Sequence, residues 1–151
     1  MRYIVFLLLG SFRIWAAAPP VAVVHSSKSL DSLTQRLAAG KSRFGSKDFG
    51  RYPNHYTLLA ERNSTGSSEL HEHEADICFV ISGEATLVSG GKIVKPHTRK
   101  AGEIRGASIE GGERQHVATG DVIHIPAGVP HQFLVSNGKP FSYFVVKVTG
   151  Q

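Results

Sequence analysis

The sequence predicts an all-β fold, a sandwich or barrel of many short strands preceded by one short helix. Three observations carry this. From Asn54 onward, apolar and β-branched runs of about five to eight residues recur along the chain. Glycine-containing turns separate them, and only one stretch, near the N-terminus, has helical periodicity. Many short strands with no second helix read as a sandwich or barrel.

The elements follow in order. Met1-Arg2-Tyr3 is short and basic, Ile4 to Leu9 are apolar without interruption, and Ala16-Ala17-Ala18 supply the small residues a signal peptidase reads. Residues 1–18 therefore resemble a secretory signal peptide, too short for a membrane span. This predicts a periplasmic or secreted protein with no stable span after processing. Residues 19–53 are expected to form a helix and a loop. Leu30, Leu33 and Leu37 share one helical face over 28–39, with Ser29 as N-cap, Gly40 as stop, and loop over 41–53. Residues 54–151 are expected to form the β domain. Its strands are predicted over 56–60, 69–73, 77–81, 85–88, 103–109, 114–117, 122–125, 132–135 and 141–148. The basic stretch 92–105 reads as a solvated loop.

Composition narrows the function. A chain of 151 residues is one domain and can bury a core without disulfides. Its single cysteine excludes an internal disulfide framework and any CxxC site. The formal charge is +5 from 17 basic and 12 acidic residues; removing Arg2 and Arg13 with the leader leaves 15 and 12, or +3. No Lys/Arg block is interleaved with aromatics, so a nucleic-acid partner is not expected. Eight histidines are the notable excess, because imidazole is a frequent metal ligand.

Two segments concentrate that chemistry. In Leu70-His71-Glu72-His73-Glu74-Ala75-Asp76, strand alternation puts His71 and His73 on one face, with Glu72 and Glu74 opposite. A divalent metal would satisfy two adjacent interior imidazoles at once. In Gly120-Asp121-Val122-Ile123-His124-Ile125-Pro126-Ala127-Gly128-Val129-Pro130-His131, the prolines and Gly128 impose a rigid turn that fixes His131. His124 is either a neighbour of the ligand set or an ordinary hydrogen-bonded histidine. Cys78 reads as a small buried hydrophobe.

These motifs resemble those of the cupins. The second cupin motif, G(x)5PxG(x)2H(x)3N, matches Gly120, Pro126, Gly128 and His131, with Val135 in place of its Asn. The first, G(x)5HxH(x)3–4E(x)6G, matches His71, His73 and Gly83. Asp76 stands for the Glu, one residue early, and Thr65 beside Gly66 stands for the first glycine. The resemblance covers about residues 56–148. It implies a double-stranded β-helix, or jelly-roll barrel, holding one divalent Mn, Fe, Zn, Ni or Cu ion on His71, His73, Asp76 and His131, and a homodimer. Asp76 has the wrong parity for a regular strand, so its place among the ligands requires a bulge or turn at Glu74-Ala75. Such a site suits an oxygenase, isomerase or lyase acting on a small organic molecule. A non-catalytic module that binds a small ligand or a metal is equally compatible with the fold.

Overall fold

The computed structural model describes residues 21–40 and 42–151, so the leader-like segment 1–18 lies outside the described residues. The helix, α1, spans Ser27–Ala38. Its N-cap is Ser26, whose Oγ accepts from the Ser29 N–H at 3.2 Å. Ser29, the expected cap, instead lies inside the first turn and donates its hydroxyl to the Ser26 carbonyl at 2.7 Å.

The segment 41–53 is not loop throughout. It contains β1 (Phe44–Arg51), paired antiparallel with β2 (His55–Arg62). Gly45-Ser46-Lys47-Asp48 carries no apolar alternation, so β1 forms because it covers the otherwise open edge of β2. The remaining strands are β3 (Ser68–His71), β4 (Glu74–Ser82), β5 (Glu84–Ser89), β6 (Lys92–Val94), β7 (His97–Lys100), β8 (Glu103–Gly106), β9 (Ser108–Glu110), β10 (Glu113–Ala118), β11 (Val122–Ile125), β12 (His131–Leu134) and β13 (Phe141–Thr149). The single strand expected over 103–109 is therefore two. They break at Gly106, where a Cβ would lie 2.2 Å from Ile93 and 2.6 Å from the Val94 carbonyl oxygen.

One sheet runs β1-β2-β13-β4-β11 and the other β10-β5-β12-β3-β8-β7, with β6 and β9 forming a small separate ribbon. All pairings are antiparallel, and together they form the jelly-roll double-stranded β-helix. Gly83 makes the tight link from β4 to β5. It has φ 81°, and a Cβ there would meet the Pro140 carbonyl oxygen at 2.1 Å.

Alternation on β13 sends Phe141, Tyr143, Val145 and Lys147 to the interior. The first three join Ala60, Cys78, Val80, Leu87, Ile125 and Phe133 in one apolar cluster. The rings of Phe133, Phe141 and Tyr143 pack mutually, with centroids 5.1–5.4 Å apart. The apolar series ends at Lys147, and there the interior becomes ionic. Cys78 is packed inside the cluster, and burial pushes its thiol upward, so it behaves as the expected small hydrophobe. No helix among the described residues is long and apolar enough to cross a membrane.

On the other face of β2, Leu59 and Glu61 are fully buried where α1 packs over the sheet. Glu61 accepts from the Ser142 hydroxyl, while its other oxygen, Oε1, has no partner. Burial raises the Glu61 carboxyl above its ordinary value, although the Ser142 bond partly offsets this. A raised folded value contributes stability that is complete below the unfolded pKa and is lost as pH rises through the folded one. Glu61→Gln is therefore expected to stabilise the fold at pH 7 by roughly 1 kcal/mol, the gain disappearing near pH 4. Urea melts at the two pH values check this, and a destabilised variant at pH 7 would refute it.

Candidate functional site

The ionic end of the barrel is assembled from register. On the six-stranded sheet, His131 of β12 faces Glu69 of β3, Glu69 faces Arg105 of β8, and His71 faces Glu103. Alternate residues share a face, so Glu69, His71, Glu103, Arg105 and His131 form one inward patch. On the opposing sheet, Asp76 of β4 faces Lys147 of β13. All of these except Arg105 are buried, and its side chain is 17% exposed.

The Pro126–Pro130 turn holds His131 as the sequence anticipates. Gly128, at φ 76°, donates its N–H to the His71 carbonyl at 2.7 Å. Nδ1 of His131 lies 3.0 Å from the Val129 carbonyl oxygen, so it carries the proton and Nε2 presents its lone pair to the interior. Burial lowers the His131 pKa, which keeps the ring neutral.

Glu69, His71 and His131 place one ligand atom each within 4.8 Å of one another. Asp76 joins them, its Oδ2 lying 3.8 Å from His71 Nε2 and 3.7 Å from His131 Nε2. The irregularity that Asp76 required is present, but two residues earlier than expected. β3 ends at His71, a bend occupies Glu72-His73, and β4 restarts at Glu74 with Asp76 inward. The same bend turns His73 out. It is exposed and sits over Gly102, so the structure does not bring it into the cluster. His124 is also exposed, on the opposite parity from buried Ile123 and Ile125, and is not behind the ligand set.

Five participants were not anticipated: the carboxylates Glu69 and Glu103, and three cations. Arg105, expected in a solvated loop, binds Glu69 at 2.8 Å and Glu103 through Nε at 2.6 Å. Arg62 binds Glu69 at 2.6 Å and the Tyr143 hydroxyl at 3.0 Å. Lys147 Nζ lies 2.6 Å from Asp76 Oδ2 and 2.7 Å from His71 Nε2. Because an ammonium only donates, His71 Nε2 accepts from it. Strand parity on β13 was the available signal for Lys147, since it falls in the same alternating series as Phe141, Tyr143 and Val145.

Burial alone would raise the Glu69 carboxyl, but the Arg62 and Arg105 guanidiniums beside it outweigh this and hold it well below the usual carboxylate range. The guanidiniums carry this effect, because His71 Nε2 is engaged by Lys147. Glu103 is likewise lowered against burial, chiefly by Arg105. The donor types, spacing and aimed imidazole fit a divalent ion, and the buried Asp76 Oδ1 has no protein partner. The fit holds once the Lys147 ammonium is out of the centre.

His71 and Glu103 line a small recess of about 70 Å³ with His73 and Lys100, and a separate cavity of about 400 Å³, lined by none of Glu69, His71, Asp76 and His131, opens beside β5, β10 and β11. Its lining includes Ser89, the cross-strand partner of His131, Ile125, the partner of Asp76, and Val129. Leu87 and Ile123 add apolar wall, with Gln115, His116 and Asp121 at the exposed side.

Comparison with known proteins agrees with this architecture. A family model described as AraC-like ligand binding domain matches residues 107–151. No curated protein sequence matches the chain. A double-stranded β-helix domain protein from Klebsiella pneumoniae superposes with TM-score 0.58 at 17% identity, covering 87% of this chain and 93% of that one. BH2720 from Bacillus halodurans gives 0.59 at 16%, covering 88% and 84%. KdgF from Halomonas sp. gives 0.52 at 12%, covering 72% and 81%. At these identities the likeness establishes the fold.

The buried network makes a sharp energetic contrast. Arg62→Met leaves Glu69 short of a partner in the interior and is expected to cost about 3–5 kcal/mol. Arg51→Met removes an exposed pair with Asp48, 3.5 Å long, and is expected to cost under about 1 kcal/mol. Denaturant titration of both variants checks this; equal, small losses would show that the network is not coupled.

Proposed function

Taking the chain as a cupin by fold, we propose that it binds a small organic molecule beside a divalent transition metal in the barrel and acts on it as an oxygenase, isomerase or lyase. The observation that carries this reading is the buried Glu69, His71 and His131 set, with ligand atoms within 4.8 Å of one another, and a cavity of about 400 Å³ lies on strands paired with those of His131 and Asp76. That volume suits a small ligand. Leu87, Ile123, Ile125 and Val129 line it beside Ser89, Gln115, His116, Asp121 and His124, so it suits a ligand with both apolar and polar surface.

Glu69, His71 and His131 would hold the ion, with Asp76 as a fourth donor, and it would supply Lewis acidity toward a ligand oxygen. The chain's own groups set the rest. Val129 fixes the His131 tautomer, and Arg62 with Arg105 withdraws charge from Glu69, making it the weaker donor. Apart from the ligand candidates, the cluster contains no free carboxylate or imidazole to serve as general base. Together with the position of Lys147, this favours a second reading, a non-catalytic small-ligand-binding module. Export through removal of residues 1–18 and a homodimer belong to the same proposal. Phe79 and Val122, cross-strand partners 41% and 63% exposed, support an outer apolar contact between copies.

Elemental analysis of tag-free protein tests the metal. The purified protein and His73→Ala are expected to carry comparable metal, and His131→Ala to lose it; below about a tenth of an equivalent in all three would sink the reading. For metal-loaded protein, oxygen uptake with diols, thiols and β-dicarbonyls separates oxygenase from binder. Intact mass of protein recovered outside the cytoplasm is expected to lack residues 1–18; an intact leader there would overturn cleavage, and protein found only in the cytoplasm would overturn export.

A further inference from the structure

Lys147 is buried at the one place where it touches ligand candidates from both sheets, Asp76 at 2.6 Å and His71 at 2.7 Å. These are the atoms a metal would share, so the ammonium and the ion need the same space. Charge leads to the same result. Glu69, Asp76 and Glu103 supply three negative charges, and Arg62, Arg105 and Lys147 supply three positive ones, linked by contacts of 2.6–2.8 Å. Arg99 and Lys100, whose ends are exposed, add further positive charge beside Glu103, so the buried carboxylates are fully compensated as they stand. Adding a divalent ion with Lys147 still in place would leave two uncompensated positive charges in a buried site, which is strongly unfavourable. With Lys147 withdrawn, the excess falls to one.

We propose that Lys147 is a tethered cation that competes with a divalent metal for the centre formed by His71, Asp76, Glu69 and His131. The centre is then complete without metal, and metal enters only by displacing the lysine from its own pocket. The competition is one of position and fixed charge. It rests on the reading of these residues as metal-capable, and it assigns Lys147 a role in setting metal affinity that neither cupin motif contains. A site that is competent only when the lysine has left has its apparent affinity reduced by the competent fraction. A fraction of about a tenth or less corresponds to a penalty of about tenfold or more.

The test is isothermal titration of tag-free, chelator-stripped wild type, Lys147→Met and Lys147→Gln with Ni²⁺, alongside thermal melts with and without Ni²⁺. Met removes the charge, whereas Gln also keeps a donor for Asp76 and so guards against misfolding of the Met variant. Both variants are expected to bind Ni²⁺ about tenfold or more tightly than wild type. Both are expected to melt lower than wild type without metal and to recover with it. If Lys147→Met does not fold, the Gln variant decides alone. Equal or weaker binding by the variants than by a metal-binding wild type overturns the competition and leaves the metal reading intact. Binding by the variants but not by wild type supports the competition and removes the metal from the native protein. No binding by any of the three overturns both.

Discussion

The pair that Asp76 and Lys147 make across β4 and β13 governs the interior of this barrel. A carboxylate and an ammonium placed in register, both buried, hold each other and reach one imidazole of the opposing sheet. Each charge would be costly alone in such surroundings. Glu69 poses the same problem one strand over, and two guanidiniums answer it. The ionic end is thus a closed set in which every charge has a partner, and any ligand that enters must fit into that balance.

This divides the barrel along its length. Toward one end, Phe133, Phe141 and Tyr143 fill the interior with rings and supply apolar burial. Toward the other, the same alternating positions carry Lys147, Asp76, His71 and Glu69. Arg62 joins the halves, with its guanidinium 5.7 Å from the Phe133 ring and its ends on Tyr143 and Glu69. Stability and chemistry are therefore separate in place but coupled through one side chain.

Much of this was legible in the sequence, and the failures have physical causes. Gly83, Gly128 and the Pro126–Pro130 turn read correctly because they impose backbone conformations that few residues can adopt. His131 followed from that turn. His73 failed because spacing assumes an unbroken strand, and the bend at Glu72-His73 removed it while bringing Asp76 inward. β1 was hidden because its pairing, and not its own pattern, makes it a strand. Lys147 and Arg105 were missed because long cationic side chains read as solvent-facing, although parity placed both on inward faces.

The bond from the Gly128 N–H to the His71 carbonyl has a mechanical consequence. It fastens the turn that carries His131 to the strand that carries His71, so the two imidazoles cannot spread without breaking a backbone hydrogen bond. The frame around the centre is stiff in that direction. Within the centre, compliance belongs to Lys147, whose four-carbon stem can swing aside without moving the backbone, at the cost of its bonds to Asp76 and His71. The barrel behaves like a rigid vice with one movable jaw, and a guest is accommodated by that jaw.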